Sequence, residues 1–257
     1  LPGFAGNISN FHRQPTPGAL ALNRVPRVYL PTAAFHDHSV RPGEEVNHYL
    51  GRVLRLRAGD HWAALDGQRR AWLCEVVDKD VSRKVDDWAA IPPLAISVSV
   101  ALALCKGARF EDALEKLAEL GVTKVVPLET ERTERGLPSP AKSQRWTQIA
   151  RSGSALANRL VPMQVAPPCH LLSYLHKLDP ATSVYCHHDG SRPEQVFHHP
   201  RNLYTILVGP EGGFSPAELE AMHGRARRVS LGPLTLRVET AAVCAVSLAL
   251  GFSAGPL

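Results

Sequence analysis

Two glycine-dense stretches hold the residue types best suited to grip a small molecule, Gly209-Pro210-Glu211-Gly212-Gly213-Phe214 and Gly232-Pro233-Leu234-Thr235-Leu236-Arg237. Glycine lets backbone amides come close to a ligand. A glycine loop opening into a helix most often cradles phosphate through those amides and the helix dipole. Here the first loop carries Glu211 and lacks a Lys-Ser/Thr pair, which disfavours a triphosphate cradle. An acidic loop suits a neutral or cationic ligand, for instance an adenosyl group bearing a sulfonium.

Each loop sits between a strand and a helix. The run Leu203-Tyr204-Thr205-Ile206-Leu207-Val208 has the length and composition of a buried strand. Beyond the first loop, Ser215 is placed as an N-cap, Pro216 at the first helical position and Glu218 three residues past the cap. The second loop follows a short strand at Arg228-Val229-Ser230-Leu231 and leads into an apolar helix from Glu239 to Leu250. Glycines serving only tight turns would account for one such loop more comfortably than for two at matched positions.

Upstream, Ile96–Leu104 reads as a strand, Lys106-Gly107-Ala108-Arg109 as a polar loop and Phe110–Leu120 as an amphipathic helix. Gly121 ends that helix, and Val122–Val126 is the next strand. Such a βαβ unit implies a parallel sheet. With a helix from about Gln144 to Asn158 and a strand at Ser183–Cys186, the expected fold class is α/β, with five or six mostly parallel strands and helices on both faces. Residues 1–22 read as a flexible leader. Residues 23–91 read as a small, mainly β domain: a strand at Arg24–Leu30, a helix at Glu44–Leu56, and a hairpin joining His61–Leu65 to Ala71–Val77 around Asp66-Gly67. Residues 94–257 form the second domain.

A formal charge of +5 and a pI near 9.1 allow a polyanionic partner without requiring one. In residues 23–91 eleven basic side chains face ten acidic ones, so a nucleic-acid surface there depends on clustering. His48, Arg52 and Arg55, at i, i+4 and i+7, fall in one helical row. Arg24, Arg27 and Arg57 extend the cluster, although a solvated helix face would use the same residues. The five cysteines are odd in number and never spaced Cys-x-x-Cys, which points to free thiols in a reducing compartment. The longest apolar runs are shorter than the ~20 residues a bilayer requires, and no secretion signal is visible, so a cytoplasmic location is expected. Cys186-His187-His188-Asp189 and His36-Asp37-His38 hold metal-ligating types, but neither has structural-zinc spacing and neighbouring strand residues point to opposite faces. No metal is expected. Ser152, Ser154 and Ser215 lack the Gly-x-Ser-x-Gly elbow of serine hydrolases.

The paired stretches Leu207–Ser215 and Ser230–Ala241 together resemble the double signature of the RsmE-type 16S rRNA (uridine-N3)-methyltransferases of the SPOUT superfamily. The likeness continues in Lys106-Gly107, Lys116-x-Ala118-Glu119-Leu120-Gly121, Thr130-Glu131-Arg132, Arg145-Trp146 and Arg159-x-x-Pro162. In the first domain it includes Arg24-Val25-Pro26-Arg27 and His48–Arg55. The resemblance implies a PUA-like β-barrel that helps hold RNA, followed by a SPOUT α/β domain whose C-terminal part is tied in a trefoil knot. It implies S-adenosylmethionine between the glycine loops, held by Leu207, Val208, Gly209, Pro210, Gly212, Gly213, Ser230, Leu231, Gly232, Leu236 and Thr240. It further implies 16S rRNA as substrate, within the small ribosomal subunit, and a homodimer with the active site near the subunit interface.

For methylation at a uridine N3, Arg237 is the candidate for stabilising the uracil oxyanion, and Glu211 or Glu239 for receiving the imide proton. Glu239 could equally serve only its helix dipole. Arg24, Arg27, His48, Arg52, Arg55 and Lys106 are the candidates for holding RNA. Two departures stand out. Ser152-Gly153-Ser154-Ala155-Leu156 replaces the family's Glu-Ala-x-x-Gln, which alters either substrate placement or helix packing, and Thr235 replaces an Ile or Leu. The first departure leaves room for a competing class, an RNA-binding module that keeps the fold without the chemistry.

Overall fold

A computed structural model describes residues 25–88, 94, 96–105, 108–133, 136–197 and 203–253. The expected leader, the junction expected between residues 91 and 94, Arg24 and Lys106 therefore lie outside the described residues.

The N-terminal part is a five-stranded sheet of β1 (Arg27–Tyr29), β2 (Ser39–Val40), β3 (His61–Leu65), β4 (Ala71–Val76) and β5 (Ser82–Asp87), in the order β1-β3-β4-β5-β2. β1 runs parallel to β3 and the other pairs are antiparallel. Side chains alternate along β3 as the pleat demands. Trp62 and Ala64 face a core with Leu30, Val40, Leu50 and Cys74, whereas Ala63 and Leu65 face another with Tyr29, Ala71 and Trp88. The helix α1 (Glu44–His48) does not stay α-helical to Leu56. It widens into a π-helical turn over Tyr49–Val53, and Arg55 takes a left-handed conformation with φ 58°. The extra residue per turn breaks the i, i+4, i+7 row expected for His48, Arg52 and Arg55. All three remain exposed.

The second sheet contains β6 (Ser97–Ala103), β7 (Lys124–Glu129), β8 (Gln164–Val165), β9 (Cys169–His170), β10 (Ser183–Ser191), β11 (Leu203–Val208) and β12 (Arg227–Val229). Its order is β12-β10-β11-β6-β7-β8, with β9 also on β7, and every pairing is parallel. Seven strands replace the expected five or six because β8 and β9 are two-residue strands beside prolines, too short to show a period. The helices are α2 (Arg109–Glu119), α3 (Pro140–Leu156), α4 (Leu171–Leu175), α5 (Pro193–Val196), α6 (Pro216–Met222) and α7 (Val238–Ser253). On one face Val98, Val100, Leu102, Tyr204 and Ile206 pack with Phe110, Leu114 and Leu117 of α2, Trp146 of α3 and Val246 of α7. On the other, Ala101, Val126, Leu128, Tyr185 and Leu207 pack with Leu171 of α4 and Met222 of α6. This is the two-faced parallel sheet that the βαβ pattern predicts.

Helix α3 begins at Pro140, earlier than expected, because Ser139 caps it by accepting from Lys142 N at 3.3 Å. Its last turns hold Ser152–Leu156, and there the structure decides for helix packing. A Cβ on Gly153 would lie 3.0 Å from both Ala118 Cβ and Glu115 O, so glycine permits the close approach of α2 and α3. Ser154 is fully buried, and its Oγ accepts from Met163 N at 2.9 Å. Ala155 belongs to the core beneath β3, so α3 also joins the two sheets. Trp88 Nε1 donates to Asn158 Oδ1 at 2.6 Å across that junction, and the Tyr29 hydroxyl donates to Arg159 O. The departure thus has a packing role at Gly153 and Ser154.

Ser154→Ala would leave the buried Met163 N–H unsatisfied, a loss of about 1–3 kcal/mol. Urea unfolding should show that decrease, with circular dichroism of the folded protein unchanged.

Candidate active site

Because all strands of the second sheet run the same way, the loops after β6, β7, β10, β11 and β12 leave it at one edge. In open α/β sheets that carboxyl edge is where ligands bind. A cleft of about 310 Å³ lies there, lined by Val208, Gly209, Pro210, Glu211, Gly212, Gly213 and Phe214 after β11. Leu236, Val238 and Ala241 contribute from the second loop and α7, Cys186, His187 and His188 from β10, and Arg132 from the turn after β7.

The first loop is built as its sequence indicates. Ser215 and Glu218 form the reciprocal capping box of α6: Ser215 Oγ accepts from Glu218 N at 3.2 Å and Glu218 Oε2 from Ser215 N at 2.8 Å. Gly213 has φ 67°, a left-handed conformation that favours glycine. A Cβ on Gly209 would meet the buried Phe214 ring at 3.1 Å, so this wall of the cleft has no room for a larger residue.

Glu211 Oε1 accepts from Arg109 Nη1 at 2.9 Å, and both side chains are more than a third exposed. Such a pair contributes under about 1 kcal/mol to stability, so it orients the carboxylate at the mouth more than it holds the fold. Glu239 is at the start of α7, and its Oε2 is buried without a hydrogen-bond partner among the described residues. Burial pushes the Cys105 thiol up to about 12, and the nearby negative charges of Glu211 and Glu239 push in the same direction. Burial likewise raises Cys186 to about 12. Burial thus disfavours the thiolate at both positions.

Other expected residues take different places. Leu207 faces the core under α4 and α6, and Leu231 packs against the larger core, so both support the cleft from behind. Ser230 N donates to Ser191 O at 2.9 Å, and Gly232 has φ 115°. Arg237 is exposed, and its carbonyl accepts from Ala241 N at 2.8 Å as α7 begins; Thr240 is exposed one turn on. Arg27 lies at the junction between the two sheets and is partly exposed. Its Nη1 donates to Leu156 O at 3.1 Å and its guanidinium lies 5.6 Å from the centroid of the Trp88 ring, so it serves the junction between the sheets. Burial there lowers its pKa.

In the sequence His187 and His188 read only as metal-ligating types on diverging faces of a strand. Their rings lie 4.3 Å apart, in the stretch where the pairing of β10 with β12 shifts register between Cys186 and Ser191. Ligand atoms of His187, His188 and Asp189 lie within 4.8 Å of one another. Asp189 already pairs with His187 Nδ1 and, at 3.3 Å, with Arg228 Nη1. The His187 hydrogen bond, backed by the charges of Arg228 and His188, holds its carboxyl below the usual range. Arg132, Phe214, Val238 and Ala241 also line the cleft, beyond the residues that the sequence singles out for the site. Arg132 stood in the sequence beside a family-like Thr-Glu pair, but nothing local indicated that its turn reaches β11.

A family model described as an RNA methyltransferase domain matches residues 92–250. The chain belongs to the RNA methyltransferase family. It is 32% identical over 218 residues to the ribosomal RNA small subunit methyltransferase E of Synechocystis sp., covering 78% of this chain and 69% of that protein. To the protein of the same name from Bacillus subtilis it is 31% identical over 224 residues, covering 80% and 86%. Among solved structures, a Legionella pneumophila protein in complex with the cofactor SAM superposes with a TM-score of 0.82 at 25% identity, covering 89% and 98%. The Neisseria gonorrhoeae ribosomal RNA small subunit methyltransferase E bound to S-adenosyl methionine superposes with 0.79 at 25% identity, covering 87% and 95%.

The cleft fits that cofactor. Amide-rich glycine walls and the apolar Val208, Phe214, Leu236, Val238 and Ala241 suit an adenosyl group, and Glu211 offers negative charge for a sulfonium. Gly209→Val should therefore weaken S-adenosylmethionine binding at least tenfold by calorimetry, since its side chain displaces the Phe214 ring and the loop with it.

Proposed function

We propose that this chain methylates the N3 of a uridine in 16S ribosomal RNA, using S-adenosylmethionine. The observation that carries the reading is the acidic glycine-loop cleft at the carboxyl edge of the parallel sheet, in a chain of the RNA methyltransferase family. The bound cofactor supplies a methyl group on a cationic sulfur. The protein must orient the base, favour loss of its imide proton and keep the reacting nitrogen in line.

Arg237, exposed at the end of the second loop, is assigned to the negative charge that develops on a uracil oxygen. Glu239, with a carboxylate oxygen unpartnered among the described residues, is assigned to receive the proton. Glu211 is already engaged by Arg109 and is assigned to the electrostatics of the mouth. His48, Arg52 and Arg55 are exposed cations or potential cations for the RNA backbone, and Arg24 and Lys106 keep the same assignment from sequence. The first domain, residues 23–91, is assigned the PUA-like RNA-holding role and the second, residues 94–257, the knotted catalytic one.

The working unit is a homodimer. Helix α7 is apolar on nearly every side, yet Val243, Cys244, Leu248 and Leu250 are only partly buried and Phe252 is 41% exposed. A helix apolar all round calls for burial all round, and a second copy would provide it. No helix among the described residues is long and apolar enough to cross a membrane, which accords with action on ribosomal RNA in the cytoplasm.

Mass mapping of 16S rRNA nucleosides should show one N3-methyluridine lost from cells lacking the gene and restored by the wild-type chain. Arg237→Ala should restore little of it while binding S-adenosylmethionine within about twofold of wild type. Full restoration by that variant would remove Arg237 from the chemistry.

A further inference from the structure

The capping box at Ser215 needs one carboxylate oxygen of Glu218, and a glutamine would serve it equally. The structure shows what the second oxygen does. Glu218 is 2% exposed, and its Oε1 accepts from Glu131 N at 2.8 Å, in the turn that follows β7. The same carboxylate thus clamps two loops that are far apart in sequence. The clamped turn is stiff, because Thr130 N donates to Thr133 Oγ1 at 3.0 Å and Thr133 N to Thr130 O at 3.0 Å.

The next residue along the turn is Arg132, which lies over the glycine loop. Its Nη1 donates to Gly212 O at 2.6 Å, and a Cβ on Gly212 would meet Arg132 Cδ at 3.3 Å. Arg132 lines the cleft but remains exposed, so its guanidinium is at the mouth, on the solvent side of the loop. The acceptor that holds it is a neutral carbonyl, and no carboxylate pairs with it among the described residues. Glu211 beside it is already matched by Arg109. The result is a preorganised guanidinium with uncompensated charge where a polyanionic substrate must enter.

We propose that Arg132 binds a backbone phosphate of the RNA beside the target nucleotide, and that Glu218 is its positioning residue. The planar fork of arginine suits phosphate oxygens, and one of its arms on Gly212 O fixes the plane before RNA arrives. This inference rests on the chain being an RNA methyltransferase.

The test measures binding of a 16S rRNA transcript across salt concentrations, S-adenosylmethionine binding by calorimetry, and methyl transfer, for wild type, Arg132→Ala, Arg132→Lys, Glu218→Gln and Arg132→Ala/Glu218→Gln. Arg132→Ala should weaken RNA binding about tenfold and lower the salt slope by about one, with cofactor affinity within twofold. Arg132→Lys should recover the slope but only part of the affinity. Glu218→Gln should weaken RNA binding in the wild-type background and add nothing in the Arg132→Ala background, the signature of two residues acting through one contact. Should Glu218→Gln not fold, the two Arg132 variants decide alone. Loss of cofactor affinity in Arg132→Ala, unchanged RNA binding and salt slope, or additive effects of the two substitutions would each overturn the proposal. Wild type that binds the transcript without methylating it would instead count against the proposed reaction, and the binding comparison would still stand.

Discussion

Hydrogen bonds that pair β11 in parallel with β6 on one side and β10 on the other dictate where chemistry can occur in this chain. Parallel pairing sends every strand end in one direction, so the loops after five strands meet at a single edge. Register matters as much as direction. Tyr185 pairs with Leu207, which sets Cys186, His187 and His188 alongside Val208, Gly209 and Pro210. A slip of one residue would exchange the two faces of β10, taking Tyr185 from the core it shares with Phe214.

Around that edge, interactions of very different strength divide the work. Buried apolar packing on both sheet faces holds the strands, Gly153 lets α3 pack close on α2, and Ala155 on α3 packs in the core of the N-terminal sheet. The charged groups at the mouth are weaker and partly exposed, so they contribute little to the fold. The Arg109–Glu211 pair can therefore be spent on orientation. Glu218 is the exception, a buried carboxylate whose two oxygens are both satisfied by backbone N–H groups. Burying such a group without partners would cost several kcal/mol, so its two bonds are required wherever it sits, and they lock the glycine loop to the turn after β7.

Much of this was legible along the chain. The βαβ pattern, the cap at Ser215, the turn at Gly121 and the two glycine loops are local features, each readable within a few residues because propensity and capping are local physics. The strand at Leu203–Val208 and the acidic character of Glu211 suffice to place a ligand site and to turn away a triphosphate. Family likeness in the same residues then pointed to the cofactor and the reaction.

Only the tertiary structure decided which side chains share the site. Arg27 reads as an RNA-binding arginine by its neighbours, and only the packing of α3 shows that its guanidinium also meets Leu156 O and the Trp88 ring. The row through His48, Arg52 and Arg55 is broken by a π-helical turn that no periodicity announces. Arg132 joins the cleft through a contact 80 residues along the chain, and His187 through the pairing of β10 with β11. Sequence determines what each segment forms and which residues carry charge. Strand register and helix packing determine what those residues meet, because they depend on contacts between segments whose separation along the chain carries no local signature.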